Sequence, residues 1–191
     1  AEKPIAFILT TGTWTAYNDW GGANHYRSVV DGAATDIQAP VVSRRRPWAH
    51  GFIALPADAP RHADQPALAR NTTPDYPWLG WAIANGYSRH YCDAGWAYYE
   101  RPFAEWAERS GYAFDILTQD DLHFRPDALD GYRVAVLVGH DEYWSWEMRE
   151  TLDRWIEAGG RLARFAGNMA WQIRIDDANG QQHCHRLSAA D

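Results

Sequence analysis

Arg133-Val134-Ala135-Val136-Leu137-Val138, running into Gly139-His140-Asp141-Glu142, is the stretch on which the fold turns. An unbroken apolar run of this length, closed by glycine, suits a strand buried on both faces, as in a parallel sheet. A helix is expected to begin near Ser145, which can cap it, with Glu147 well placed in the first turn. Met148, Leu152, Trp155 and Ile156 recur at helical spacing and form its expected inward stripe. Gly159-Gly160 ends that helix, and Arg161 to Ala166 reads as the next strand, closed by Gly167-Asn168. Strand, helix, strand is the unit from which parallel sheets with helices on both faces are built. The expected class is α/β, a flavodoxin-like, mostly parallel sheet with helices on both faces.

Outward from this unit, Pro4 to Thr10 is a second apolar run ending in turn residues, and reads as the first strand. Residues 11 to 76 lack sustained periodicity and are rich in Gly, Pro, Asn and Asp; such a stretch is usually functional or carries short strands of its own. A helix is expected from Pro102 to Ser110, with Phe103, Trp106 and Ala107 on one face and Gly111 as its stop. Ala113 to Thr118 follows as a strand. Trp171 to Ile175 and Gln181 to Leu187 flank a turn at Asp176 to Gly180, the pattern of a hairpin. With no repeats, linkers or low-complexity tracts, residues 1–191 read as one domain.

The 191 residues are 46% hydrophobic and 23% charged, an ordinary globular composition. A net charge of -7 argues against nucleic acid as a partner, and the cluster Arg44-Arg45-Arg46 is expected to be a solvated loop. Cys92 and Cys184 do not make a disulfide framework. No run of about 20 apolar residues could form a membrane span. The first residue is Ala1, which leaves a removed leader or missing upstream sequence open; the cytoplasm is the expected compartment. The unusual feature is 11 Trp and 10 Tyr. Clusters such as Tyr76-Pro77-Trp78 and Tyr98-Tyr99 sit between periodic segments, where rings line a pocket or simply pack.

In open α/β sheets, ligands bind beyond the carboxyl ends of the strands. Two loops there carry reactive side chains: Gly139 to Trp144, and Thr11 to Tyr26 with Tyr17, Asn18, Asp19 and His25. Helix capping accounts for Asp141 but poorly for His140. The strand-to-helix turn holds neither Ser nor Cys, so acyl transfer through a thiol is not expected. A carboxylate beside an imidazole points to metal ligation or general-base work.

Gly139-His140-Asp141-Glu142-Tyr143-Trp144-Ser145, followed by Met148-Arg149, Gly159-Gly160-Arg161-Leu162 and Ala166-Gly167-Asn168, resembles the large (β) subunit family of N,N-dimethylformamidase. Thr15 to Gly22 resembles that family's first loop and Gly111 to His123 its middle strand and turn, so the similarity runs from about Pro4 to His185. The resemblance implies a glutamine-amidotransferase-like α/β catalytic domain. It also implies a mononuclear ferric iron bound by two tyrosines and one glutamate, with a histidine nearby. Carried over by position, Glu142 matches the carboxylate ligand, His140 the histidine, Tyr17 the first tyrosine and Tyr26 the second. Asp141 stands where one branch of the family has proline, a change expected to leave the ligand geometry intact. The implied activity is hydrolysis of the C–N bond of a small linear amide, the metal activating water and carbonyl and His140 accepting a proton. The family's domain is implied to continue past the equivalent of Asp191. The chain is therefore expected to be incomplete at its C-terminal end and to need further polypeptide or an oligomer.

Two rival readings follow from the residues. The aromatic excess would suit a non-catalytic carbohydrate- or peptide-binding module. A zinc hydrolase would want two or three histidines converging on Glu142. His25, His50, His62, His90, His183 and His185 have no spacing that singles them out, and in His183-Cys184-His185 alternate strand residues face opposite sides.

Overall fold

A computed structural model describes residues 3–26, 37–61 and 77–184. Tyr76, His62, His185 and the far arm of the expected hairpin, residues 185–187, lie outside the described residues. The chain runs β1 (Lys3–Leu9), α1 (Thr11–Tyr17), a 3-10 turn (Trp20–Gly22), β2 (Ala23–Asn24), β3 (Ile37–Gln38), β4 (Val41–Ser43) and α2 (Pro77–Asn85). A π-helical turn (Trp96–Glu100) leads into α3 (Arg101–Arg109), then β5 (Phe114–Thr118), α4 (Gln119–Phe124) and β6 (Tyr132–His140). There follow β7 (Tyr143–Trp144), α5 (Trp146–Glu157), β8 (Arg161–Gly167), β9 (Trp171–Gln172), β10 (Arg174–Asp176) and β11 (Gln181–His183).

The four long strands form one parallel sheet in the order β5-β1-β6-β8. Successive side chains of β1 go to opposite faces, as strand geometry requires. Ala6 and Ile8 pack with α4 and α5 through Leu122, Met148 and Leu152, while Phe7 packs with Ala104 of α3 and with Val136 and Val138. Ala6, Phe7 and Ile8 are fully buried, which is why this strand reads as a continuous apolar run. The fold is α/β, a mostly parallel sheet with helices on both faces.

α5 starts where its cap places it: the Ser145 hydroxyl accepts a hydrogen bond from the Met148 N–H at 3.2 Å. Met148, Leu152 and Trp155 form its buried stripe, each burial being worth roughly 1.5–3 kcal/mol, against about 1 kcal/mol for the cap. The cap therefore sets where the helix begins, and the stripe keeps it docked. Ile156 departs from the expected stripe and is 39% exposed, while Thr151 is buried. At about 100° per residue Thr151 and Ile156 flank the stripe's centre on opposite sides, roughly 65° and 75° away, and the burial falls on the Thr151 side. In α3, of the face expected to carry Phe103, Trp106 and Ala107, Ala107 is buried and Phe103 packs on Phe7, while Trp106 is 49% exposed and Ala104 is buried against the sheet. Gly111 ends α3 at φ 80°, with the Tyr112 N–H returning to the Ala107 carbonyl at 3.0 Å.

The expected hairpin is the antiparallel pair β10–β11, which β4 extends; Trp171-Gln172 instead pairs in parallel with β7. Residues 11 to 17, expected as part of a loop, form α1. The helix carries no amphipathic period because every residue from Gly12 to Tyr17 is buried. Arg44 and Arg46 also depart from the expected solvated loop. Arg44 pairs with Asp120 at 2.5 Å, and Arg46 donates to main-chain carbonyls around α1. Among the described residues no helix is long and apolar enough to cross a membrane.

Candidate active site

β5 lies on one side of β1 and β6 on the other, so the strand order reverses between β1 and β6 while all strands stay parallel. The segments leaving those two strands meet at their carboxyl ends, the position where open α/β sheets bind ligands. β6 runs on through His140, and the alternation of an extended chain sends His140 and Glu142 to one side and Asp141 to the other. Asp141 is fully buried against β8, where Arg164 grips both carboxylate oxygens at 2.8 and 2.6 Å. Burial still outweighs that pairing and raises the Asp141 carboxyl above its ordinary value. Gly139 makes the turn at φ 86°, and a Cβ there would sit 2.4 Å from the Tyr99 side chain. Only glycine lets the π-helical turn approach the end of β6 so closely.

α1 is locked to the segment after β6 at its start and carries Tyr17 at its end. The Gly12 N–H donates to Gln119 Oε1 at 2.9 Å, and Gln119 Nε2 donates to the Tyr143 carbonyl at 3.0 Å. Gln182 Nε2 donates to the Gly12 carbonyl at 3.1 Å. A side chain at Gly12 would meet the Tyr143 carbonyl oxygen at 2.9 Å. Beyond Tyr17 the chain turns back through Trp20–Gly22 to bring in Tyr26. Arg46 holds this return by donating to the carbonyls of Thr15 (3.4 Å), Trp20 (3.0 Å) and Ala23.

The result is a convergence on one oxygen atom. The hydroxyls of Tyr17 and Tyr26 donate to Glu142 Oε2 at 3.4 and 2.6 Å, and His140 Nε2 lies 3.2 Å from the same atom. The Tyr143 hydroxyl donates to that of Tyr26 at 2.5 Å. The Tyr17 and Tyr26 rings stack with centroids 4.0 Å apart and planes 18° from parallel. Tyr17 and Glu142 are buried and Tyr26 half-buried. Burial raises both phenols above their ordinary value; the Glu142 charge adds to this for Tyr17, and the neighbouring phenols and the bond to Glu142 do so for Tyr26. Burial opposes the charged form of His140, but hydrogen bonds to Glu142 and to the Asp93 carbonyl outweigh it, and its value is raised.

His140 Nδ1 stands 2.9 Å from the Asp93 carbonyl oxygen, an acceptor only, so Nδ1 carries a proton. Nε2 is then the atom at which His140 takes up and releases a proton, and it faces Glu142.

Tyr17, Tyr26, His140 and Glu142 thus stand together, while Asp141 faces away. Several neighbours were not singled out by the sequence. Tyr143 lies within the motif itself and its alternation with Glu142 did not mark it. His90, buried, sits with its ring 5.5 Å from that of Tyr17 and 6.2 Å from that of Tyr26. Glu100, 1% exposed, lies beside the end of β1. Its Oε1 accepts from the Thr10 hydroxyl at 3.0 Å and from Trp14 Nε1 at 2.9 Å. Its Oε2 is buried and meets no donor among the described residues. Burial, partly offset by the Trp14 and Thr10 bonds, pushes Glu100 up to about 7. Cys92 and Cys184 are both buried, and burial pushes the Cys92 thiol up to about 12, which disables it as a nucleophile.

The residues fit a hard cation. Phenol and carboxylate oxygens from α1, the following turn and the segment after β6 crowd around one carboxylate atom, and a bound cation inverts the conditions that keep buried phenols protonated. Among the described residues no group of three His, Cys, Asp or Glu side chains is arranged to hold a metal, so a zinc-type set is not assembled there.

A family model described as "N,N-dimethylformamidase beta subunit-like, C-terminal" matches residues 1–191. Among curated proteins, the N,N-dimethylformamidase beta subunit of Alcaligenes sp is 27% identical over 73 residues. That of Paracoccus aminophilus is 29% identical over 73 residues. In each case the matched stretch is 37% of this chain and 10% of the relative, so the chain spans about a tenth of the length of the curated relatives it matches.

Proposed function

Because the chain belongs to the N,N-dimethylformamidase beta subunit-like family, we propose that it is the catalytic part of a metal-dependent hydrolase cleaving the C–N bond of a small linear amide. The observation that carries this reading is the meeting of Tyr17, Tyr26 and His140 on Glu142 Oε2. Tyr17, Tyr26 and Glu142 would hold a mononuclear ferric iron, for which phenolate and carboxylate are suitable hard donors. Bound there, the metal would polarise an amide carbonyl and lower the pKa of a coordinated water. His140 moves the proton at Nε2, its ring fixed through Nδ1 on the Asp93 carbonyl. The Asp141–Arg164 pair anchors the loop between His140 and Glu142 from the opposite side. Gly139 and the Tyr99 ring packed on it set the direction in which His140 leaves the strand.

The strand order, with the second, first, third and fourth long strands side by side, supports a flavodoxin-like reading of the sheet and, more finely, an amidotransferase-like one. Both matched relatives are named as beta subunits. We infer that further polypeptide completes the working enzyme. The binding-module reading is less well supported: Trp14, Tyr91 and Tyr143 are buried in the core, and the exposed rings of Trp20, Trp106 and Trp146 stand on three different elements.

Elemental analysis and a visible spectrum of the full-length protein test the proposal. Stoichiometric iron and a broad phenolate-to-iron charge-transfer band are expected, which zinc or magnesium would not give. Tyr17→Phe is expected to weaken or shift the band and lower kcat, and Glu142→Ala to lose the metal more completely. A stoichiometric metal with no visible band and no response to Tyr17→Phe refutes the tyrosinate-iron reading.

A further inference from the structure

Asp93 touches two imidazoles at once. Its carbonyl oxygen accepts from His140 Nδ1 at 2.9 Å, and its carboxylate Oδ2 accepts from His90 Nδ1 at 3.0 Å. The turn that carries it is closed on itself. The Asp93 N–H donates to the His90 carbonyl at 2.9 Å and the His90 N–H to Ser88 Oγ at 3.0 Å. It is also tied to both neighbouring loops: the Arg89 N–H donates to Asp19 Oδ2 at 3.1 Å and the Ser88 N–H to the His50 carbonyl at 2.9 Å. Asp19 lies in the segment between Tyr17 and Tyr26, so the turn and the tyrosines are held in one frame. Next to the turn, Gly95 lies at φ 112°, where a Cβ would stand 2.8 Å from the Phe52 carbonyl oxygen.

We propose that Asp93 is a positioning residue for the site, fixing the Nδ1-protonated tautomer of both His140 and His90, and that His90 is the second imidazole of that site. A carbonyl oxygen and an ionised carboxylate accept hydrogen bonds and cannot donate them, so each imposes the proton on the ring nitrogen it meets. On each ring Nε2 is then the nitrogen that faces away from Asp93: in His140 towards Glu142, and in His90 on a ring lying against the Tyr17–Tyr26 stack. Groups that orient a histidine from behind carry effects of about 10–100-fold on activity in metal sites. The inference deepens the amide-hydrolase reading and rests on it for its catalytic meaning.

The two contacts can be separated, because one uses the main chain and the other the side chain. Asp93→Asn keeps the carbonyl that holds His140 and replaces the carboxylate that holds His90 with an amide able to present oxygen or NH2. Ring 15N spectra of the full-length protein, with His90→Gln and His140→Gln as assignment controls, are expected to show both histidines Nδ1-protonated in the parent. In Asp93→Asn, His90 alone should move to mixed tautomers, with thermal stability little changed and kcat lowered about 10–100-fold. A His90 signature unchanged in Asp93→Asn, or His90 and His140 shifting together, overturns the assignment. Absence of amide turnover or of iron in the parent protein would instead overturn the hydrolase reading, with the ring signatures still reporting on Asp93.

Discussion

Glu100→Gln should make the protein more stable at alkaline pH than it is with its own residue. The Glu100 carboxyl is 1% exposed and is pushed by burial from 4.5 to about 7. The folded state therefore holds a proton that the unfolded chain releases earlier. The stability linked to this group is fully present below about pH 4.5 and is lost as pH rises through about 7. At about 1.4 kcal/mol per pH unit the full loss is ~3 kcal/mol, most of which develops between pH 5 and pH 8. Glutamine keeps the Oε1 acceptor used by Thr10 and Trp14 but never ionises. Urea unfolding at pH 5 should give parent and variant similar stabilities, within about 1 kcal/mol. At pH 8 the variant should be the more stable by about 2–3 kcal/mol. Parallel stability–pH curves for the two proteins would refute the reasoning, since they would mean that Glu100 ionises in the fold without penalty.

Arg164→Met leaves the fully buried Asp141 carboxylate without its partner, and should cost about 3–5 kcal/mol by denaturant unfolding, the cost shrinking as pH falls and Asp141 takes up a proton. His140→Ala should keep the visible band expected of the Tyr17, Tyr26 and Glu142 set while kcat falls about 100-fold or more, because it removes the proton-moving ring and leaves those oxygens in place. Gly139→Ala forces a Cβ into the Tyr99 ring at a left-handed φ; a fall in melting temperature together with loss of activity is expected, and a variant as stable as the parent would show that the turn re-forms at no cost.

The sequence by itself determined the parallel α/β frame. β6, α5 and β8 were legible because each carries a local signal: an unbroken apolar strand, a helical stripe with Ser145 at its head, and glycines at its end. The chemistry of His140 and Glu142 was legible for the same reason, standing in a row at the mouth of a buried strand. Only the tertiary structure decided what meets Glu142. Tyr17 and Tyr26 reach it across 125 and 116 residues of sequence, and His90 and Asp93 reach the same place from a turn with no periodic signature. α1 escaped notice because a helix buried on every side loses the alternation by which helices are recognised. Ile156 is exposed although its spacing puts it in the inward stripe, because periodicity defines a stripe but the partner surface selects which part of it is covered. Arg46 looked solvated from its charge, yet it is drawn inward by carbonyls that only the folded loop brings together. Local order follows from neighbours along the chain, whereas the site is an agreement among segments that become neighbours only when the sheet closes beneath them.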